Sequence, residues 1–186
     1  MLISKYGNNN TENRINEIEK KFNITLPSQY RNFLCKYNGG DTPDTTYKVG
    51  KASSALRAFY GFGSIRYSLD KLNIQEWIEK NMFPIACDHF GNEIVISLEE
   101  ISYGNIYFCD HEDGFKAQLV GDDFKTFVSK CKSKKINPAC STPIAQREAD
   151  LIARGRGHVI TDTLRKTWQA EIDKYGNMVQ ERVILK

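Results

Sequence analysis

The sequence predicts a fold of mixed helix and sheet, in which two short helices come first and an antiparallel β meander follows. Residues 11–22 and 28–37 have apolar side chains at helical spacing. Residues 85–109 instead have three short apolar runs separated by turns that contain Gly and Asn, which is typical of consecutive antiparallel strands.

The length and composition indicate one globular domain with an appendage. Hydrophobic residues make up 40% of the 186 residues, enough for a core without disulfides or a structural metal. The five cysteines include no C-x-x-C pair and indicate a reduced, intracellular chain. No apolar run approaches the ~18 residues of a membrane span, and the first eight residues lack the apolar stretch of a secretory signal. We therefore expect a cytoplasmic protein.

The two helices have recognisable ends. Residues 8–10 are asparagines that offer N-caps for the first helix, and Ser28 offers one for the second. The apolar stripe of the second helix consists of Tyr30, Phe33, Leu34 and Tyr37. We expect Asn38-Gly39-Gly40 to end it, because glycine adopts the left-handed backbone of a helix C-cap without steric cost.

The centre of the chain is harder to assign. Residues 41–51 are polar and turn-rich, and residues 68–81 have a moderate helical pattern. Strands are predicted at residues 85–87, 93–98 and 106–109. A closing helix is predicted from Phe124 to Cys131.

The tail from about residue 138 differs in character from what precedes it. One helix is predicted after Thr142-Pro143 and a second over residues 161–175. Residues 178–185 alternate in polarity, and we expect them to pair as an edge strand.

An ordered set of motifs resembles the SMI1/KNR4 family, also called the SUKH superfamily. The motifs are Ile18 to Phe22, Leu26 to Leu34, Tyr37-Asn38-Gly39-Gly40, Tyr60-Gly61-Phe62-Gly63, Phe83-Pro84-Ile85-Ala86, Gly91-Asn92 with Ile96-Ser97-Leu98, Gly104 to Phe108 leading into Asp110-His111-Glu112, and Asp122 to Val128. The resemblance implies an α+β fold, with a mixed or antiparallel sheet packed against the N-terminal helices. We predict that the SMI1/KNR4-like domain spans residues 10–137 and that residues 138–186 form a helical C-terminal extension of unassigned role.

The resemblance also implies a role in binding. Most bacterial members look like immunity proteins, or antitoxins, that bind and silence a cognate polymorphic toxin domain, often a nuclease. We therefore expect this chain to bind and neutralise such a domain by blocking its active site. Fungal members are regulatory hubs, so the alternative is a scaffold that binds a host signalling or cell-wall protein. We expect a toxin protein as partner and no enzyme activity, cofactor or membrane; the oligomeric state stays open.

Seven residues near the turns of the meander are the predicted partner-binding residues: Asp88, Asn92, Tyr103, Tyr107, Asp110, His111 and Glu112. Their acidic groups would face the basic active site of a nuclease, and tyrosine rings are typical interface anchors. The alternative is structural: Asp88 and Asn92 form the turn, Tyr107 packs in the core, and the other carboxylates cap local amides.

The tripeptides Cys87-Asp88-His89 and Cys109-Asp110-His111 are candidates for a metal site or a catalytic site. Residues i and i+2 of a strand share a face, so the two copies would assemble a Cys₂His₂ zinc site or a thiol beside a histidine base. However, the C-x-H spacing differs from that of known zinc modules, and no glycine-rich oxyanion turn adjoins either cysteine. We therefore expect neither a metal site nor catalytic residues.

Positive charge is concentrated around the closing helix, at Lys125, Lys130, Lys132, Lys134 and Lys135. No aromatic side chains alternate with these lysines for stacking on bases, and the net charge is only +3. A solvated helix face explains them, and no direct nucleic-acid partner is expected.

Overall fold

The computed structural model describes residues 1–7 and 10–185, which form two compact units. The first unit comprises residues 1–134 together with the residues from Glu181 onward, and the second comprises Lys135–Gln180. Two of the N-cap candidates, Asn8 and Asn9, lie outside the described residues. The domain boundary between residues 137 and 138 remains a prediction.

An antiparallel sheet forms the body of the first unit. Its strands are β1 (Leu2–Lys5), β2 (Gly40–Val49), β3 (Ala52–Phe59), β4 (Met82–Asp88), β5 (Glu93–Ser97), β6 (Ile106–Asp110), β7 (Lys116–Gly121), β8 (Lys132–Ser133) and β9 (Glu181–Arg182). The strand order is β7-β6-β5-β4-β3-β2-β1-β9, with β8 paired to β2. The α+β fold is thus confirmed, and β4, β5 and β6 are the predicted meander.

In the described part of the chain, four α-helices belong to the first unit and two to the second. They are α1 (Thr11–Phe22), α2 (Ser28–Tyr37), α3 (Ile74–Ile78), α4 (Phe124–Lys130), α5 (Ile144–Ala153) and α6 (Asp162–Tyr175). The N-cap of α2 is Pro27, and Ser28 is already helical, so the predicted cap is wrong by one residue. Among the described residues, no helix combines the length and the apolar character needed to cross a membrane.

The core lies between one face of the sheet and the helices α2 and α4. The Phe33 ring packs 5.1 Å from Phe124 and 5.0 Å from Phe59, while Tyr47 packs 5.6 Å from Phe127, measured between ring centroids. Their close packing removes large aromatic surfaces from water, which is the main stabilising term of the fold. We call this side of the sheet the core face and the other side the far face.

The hairpin of β2 and β3 is the largest departure from the sequence prediction. Residues 41–51 look like a polar turn, yet they alternate between buried Thr45 and Tyr47 and exposed Thr46 and Lys48. The two buried threonine hydroxyls have partners: Thr42 Oγ1 donates to the Leu56 carbonyl at 3.1 Å, and Thr45 Oγ1 lies 2.7 Å from Ser133 Oγ. The buried side of β2 therefore carries threonines rather than the aliphatic residues that usually reveal a strand in a sequence.

The segment between β3 and β4 also contains less helix than the sequence predicts. Residues 68–81 contain one 3₁₀ turn at Leu69–Lys71 and the five-residue α3. β7 was not predicted at all, because its first four residues are exposed and give no apolar pattern.

Two glycine-containing motifs meet where α2 ends. Asn38 adopts a left-handed conformation; its Oδ1 accepts from the Phe62 amide at 2.8 Å, and its Nδ2 donates to the Phe62 carbonyl at 3.0 Å. Gly61 passes so close that a Cβ there would overlap the Asn38 carbonyl oxygen. The contact fixes the end of α2 to the segment that leaves β3.

The second unit is held by contacts around Arg147. Its Nη1 lies 2.7 Å from Glu171 Oε2, and its guanidinium carbon lies 5.7 Å from the centroid of the Trp168 ring. After this unit the chain returns to the sheet, where Arg182 pairs with Leu2 and the Val183 amide donates to the Met1 carbonyl at 3.0 Å. The expected edge strand is present at Glu181–Arg182, which is shorter than the predicted residues 178–185.

Candidate functional site

Five of the seven predicted residues come together at one end of the sheet. The β4–β5 turn and the β6–β7 turn both lie there, since β4 to β7 pair antiparallel in sequence order. We call residues 88–92 and 110–115 the turn platform. It contains Asp88, Asn92, Asp110, His111 and Glu112.

Asp88 organises the first turn of the platform. Its side chain is 1% exposed and accepts hydrogen bonds from Ser54 Oγ at 2.6 Å and from the Phe90 and Asn92 amides at 2.8 and 2.9 Å. The Asn92 side chain donates to it as well, at 2.8 Å. A carboxylate with this set of donors remains stable when buried. The structure therefore gives Asp88 the turn-forming role, and its contact with a partner remains a prediction.

Asn92 joins the first turn to the second. Its Oδ1 accepts from the His111 amide at 3.1 Å and lies 2.8 Å from His111 Nδ1. In the second turn, Asp110 Oδ1 accepts from the Glu112 amide at 2.9 Å. His111 and Glu112 are exposed on a backbone held by these bonds. The platform is thus a preorganised pair of turns.

The two tyrosines lie elsewhere. Tyr103 belongs to the β5–β6 connection at the opposite end of the sheet, where its hydroxyl donates to the Thr25 carbonyl at 2.9 Å. Tyr107 is half-buried in the middle of β6, paired with Val95 and Leu119. The seven residues therefore do not form a single patch.

The structure adds apolar residues that the sequence analysis did not select. Phe90, at the tip of the first turn, is 66% exposed, and Phe115, at the end of the second, is 39% exposed. The Phe115 ring packs edge-on against Trp77 at 5.4 Å between centroids. A large aromatic residue in the middle of an Asp-His-Phe-Gly-Asn turn is the signal that would have identified Phe90, because a tight turn leaves that side chain no core to enter.

The two Cys-x-His motifs do not assemble into a site for chemistry. Cys87 and Cys109 are buried in β4 and β6, whereas His89 and His111 are exposed in the turns. Burial raises the pKa of both thiols to about 11, so they stay protonated at neutral pH and are poor nucleophiles. Within residues 1–7 and 10–185, no three His, Cys, Asp or Glu side chains converge in a way that would hold a metal ion.

The similarity of this chain to known proteins covers the whole turn platform. A family model described as SMI1 / KNR4 family (SUKH-1) matches residues 9–130, which include the turn platform and end with α4. The chain is also 29% identical over 148 residues to the SPbeta prophage-derived uncharacterized protein YokK of Bacillus subtilis (strain 168). That match covers 67% of this chain and 76% of YokK.

Proposed function

The chain belongs to the SMI1/KNR4 (SUKH-1) family, and we propose that it is an immunity protein that binds a cognate toxin domain and blocks its active site. Family membership suggests this type, since most bacterial members look like immunity proteins, and the proposed target is a nuclease domain in the cytoplasm of the cell that makes the toxin. No catalytic step by this chain is needed for such a role.

The observation that carries the proposal is the turn platform inside the family-matched region. It presents the exposed Phe90 ring on its first turn and the exposed carboxylates of Glu112 and Asp113 on its second turn, and the two turns are joined by the bonds between Asn92 and His111. An exposed aromatic residue surrounded by polar groups is the usual anatomy of a binding hot spot. Carboxylates complement the basic cleft that a nuclease uses for phosphate, which raises the association rate and excludes wrong partners.

The rigidity of the platform supports a binding role. Asp88 and Asn92 hold the turn backbones through hydrogen bonds before any partner arrives. Association then costs little ordering free energy, which leaves more of the contact energy for affinity. Effective neutralisation requires a dissociation constant of about 1 nM, or about −12 kcal/mol, from an interface of about 1,600 Å².

Growth rescue tests this proposal. Cells that express the toxin domain encoded beside this gene are grown with the wild-type chain or with the double variant Phe90→Ala, Glu112→Lys. We expect the wild type to restore growth and the double variant to fail. The control is Glu100→Lys, which makes the same charge change at an exposed position of the opposite end of the sheet and should rescue fully.

Two results would count against the proposal. Failure of the well-expressed wild type to rescue growth would favour the regulatory scaffold. Full rescue by the double variant would move the binding surface away from the turn platform.

A further inference from the structure

A row of three residues crosses the far face of the sheet. The register pairs Cys87 with Glu93 and Glu93 with Cys109, so these side chains lie side by side on β4, β5 and β6. The next residue of β5, Ile94, pairs with Ala86 and Phe108 in the core. Because side chains alternate along a strand, Glu93 and both cysteines point to the far face.

Glu93 is a largely buried carboxyl with an unusual set of neighbours. The Tyr60 hydroxyl donates to both of its oxygens, at 2.9 and 3.0 Å. Two thiols flank it, and the nearby Asp88 adds a second negative charge. Within residues 1–7 and 10–185, no lysine, arginine or histidine forms an ion pair with it.

The cations of the surrounding elements approach other groups. The positive charge of Arg57, in β3, favours the ionised form of the Cys87 thiol. The positive charge of Lys80, which follows α3, does the same for Cys109. The Lys80 Nζ lies over the Trp77 and Phe115 rings, at 5.4 and 5.9 Å from their centroids. Among the residues that the structure describes, Glu93 thus has the Tyr60 hydroxyl as its side-chain donor and no cation in an ion pair, although a buried carboxylate normally has one.

We propose that Glu93 receives the guanidinium or ammonium group of an arginine or lysine of the toxin. This inference rests on the proposed function and assigns it a specific contact. The position suits such a contact, since Glu93 keeps part of its surface exposed and directly follows Asn92 of the turn platform. A toxin that covers the platform would present its cation to the exposed side of this carboxyl, and the Tyr60 hydroxyl would hold the carboxylate in place.

The contact should make the affinity for the toxin depend on pH. Burial raises the pKa of Glu93 to about 7, so an incoming cation must shift the carboxyl to its charged form. Between pH 6 and pH 8 the ionised fraction of such a group rises about tenfold, and the affinity for the toxin should rise by about the same factor.

The first test needs no toxin. The Glu93 carboxyl resonance of the full-length chain is followed by NMR through a pH titration with methylguanidinium chloride, which is the head group of arginine. We expect the pKa of Glu93 to fall by about half a unit or more, because a nearby cation favours the ionised carboxylate. Sodium chloride at equal ionic strength is the control, and no difference between the two salts would overturn the inference.

The second test uses the toxin domain encoded beside the gene. Glu93→Gln keeps the shape of the side chain and an acceptor for Tyr60; we expect it to bind at least about tenfold more weakly at pH 8 and to lose the pH dependence. The matched control is Glu100→Gln, an exposed carboxyl in the 3₁₀ turn between β5 and β6 at the opposite end of the sheet, which should bind like the wild type. Equal binding by Glu93→Gln would overturn the cation contact and leave the immunity function standing. Absence of binding by the wild type would overturn the immunity function itself, and the NMR titration would then decide the cation site alone.

Discussion

Asp88 lies near the proposed interface, but its carboxylate is used by hydrogen bonds that stabilise the fold. Its carboxylate accepts from Ser54, from two turn amides and from the Asn92 side chain, and it is almost fully buried. The Asp-x-x-x-Asn turn was predictable from sequence, because these residues bond to nearby backbone amides. The bond from Ser54 was not, since it depends on how β3 pairs with β4.

Removal of this carboxylate should therefore be costly. Asp88→Ala leaves several buried donors without an acceptor, and we expect it to lower the free energy of unfolding by about 3 kcal/mol. Urea denaturation checks this, with Asp113→Ala as the control: Asp113 is exposed, and its ion pair with Lys116 is 3.7 Å long, so it should cost less than about 0.5 kcal/mol. A loss under about 1 kcal/mol for Asp88→Ala would contradict the turn-forming role.

Glu93 should make stability depend on pH. Its folded-state pKa of about 7 lies above the ordinary value of 4.5, so between these values the unfolded chain has lost a proton that the folded chain keeps. Stability from this group therefore decreases as pH rises from about 4.5 to 7, and it is constant above 7. The difference in unfolding free energy between wild type and Glu93→Gln, measured at pH 5 and pH 8, should favour the wild type more strongly at pH 5. A difference that does not change with pH would show that the carboxyl is not perturbed.

Among the elements, α4 contributes most clearly to the core. Phe124 is 1% exposed and packs within 6 Å of Tyr30, Phe33 and Phe59, measured between ring centroids. The helix α4 could be predicted from sequence, because its apolar residues recur three and four positions apart. β2 and β7 were not readable, since the buried side of β2 uses threonines and β7 is mostly exposed.

Two phenylalanines separate packing from binding. We expect Phe124→Ala to lower the free energy of unfolding by about 4 kcal/mol, because it leaves a cavity among the aromatic rings. Phe90→Ala should change it by less than about 0.5 kcal/mol, since that ring is 66% exposed. Guanidinium denaturation of both variants distinguishes the roles, and comparable losses would mean that Phe90 is a core residue rather than an interface residue.

At the scale of the whole molecule, the order of the turns determines which residues meet. Successive turns of an antiparallel meander alternate between the two ends of the sheet, so the β5–β6 connection with Tyr103 lies opposite the platform. That separation follows from the predicted strands themselves. The grouping of residues 110–112 with the first turn follows from the same strands, because β6 ends where β4 ends. The strand that closes the second turn could not be predicted from sequence, since β7 carries no apolar pattern.

The return of the chain to the sheet affects how the second unit should be removed. Simple truncation after Lys134 also deletes β9, the buried Val183 and the Ile184 amide that donates to Tyr37 Oη at 2.9 Å. We expect this truncation to destabilise the sheet by about 2 kcal/mol. Replacement of residues 135–180 by a flexible Gly/Ser linker keeps those contacts, and its melting temperature should exceed that of the truncated chain. Equal melting temperatures for both variants would show that β9 adds nothing to the fold.

Neutralisation of a toxin by this chain requires a tight complex between the two proteins. Isothermal titration calorimetry of the purified chain against a purified candidate toxin domain, tested first where one is encoded beside this gene, measures that complex most directly. We expect a one-to-one complex with a dissociation constant of about 1 nM, together with loss of affinity of at least about a hundredfold for Phe90→Ala, Glu112→Lys. No heat of binding at micromolar concentrations of both folded proteins, over a range of temperatures, would contradict it.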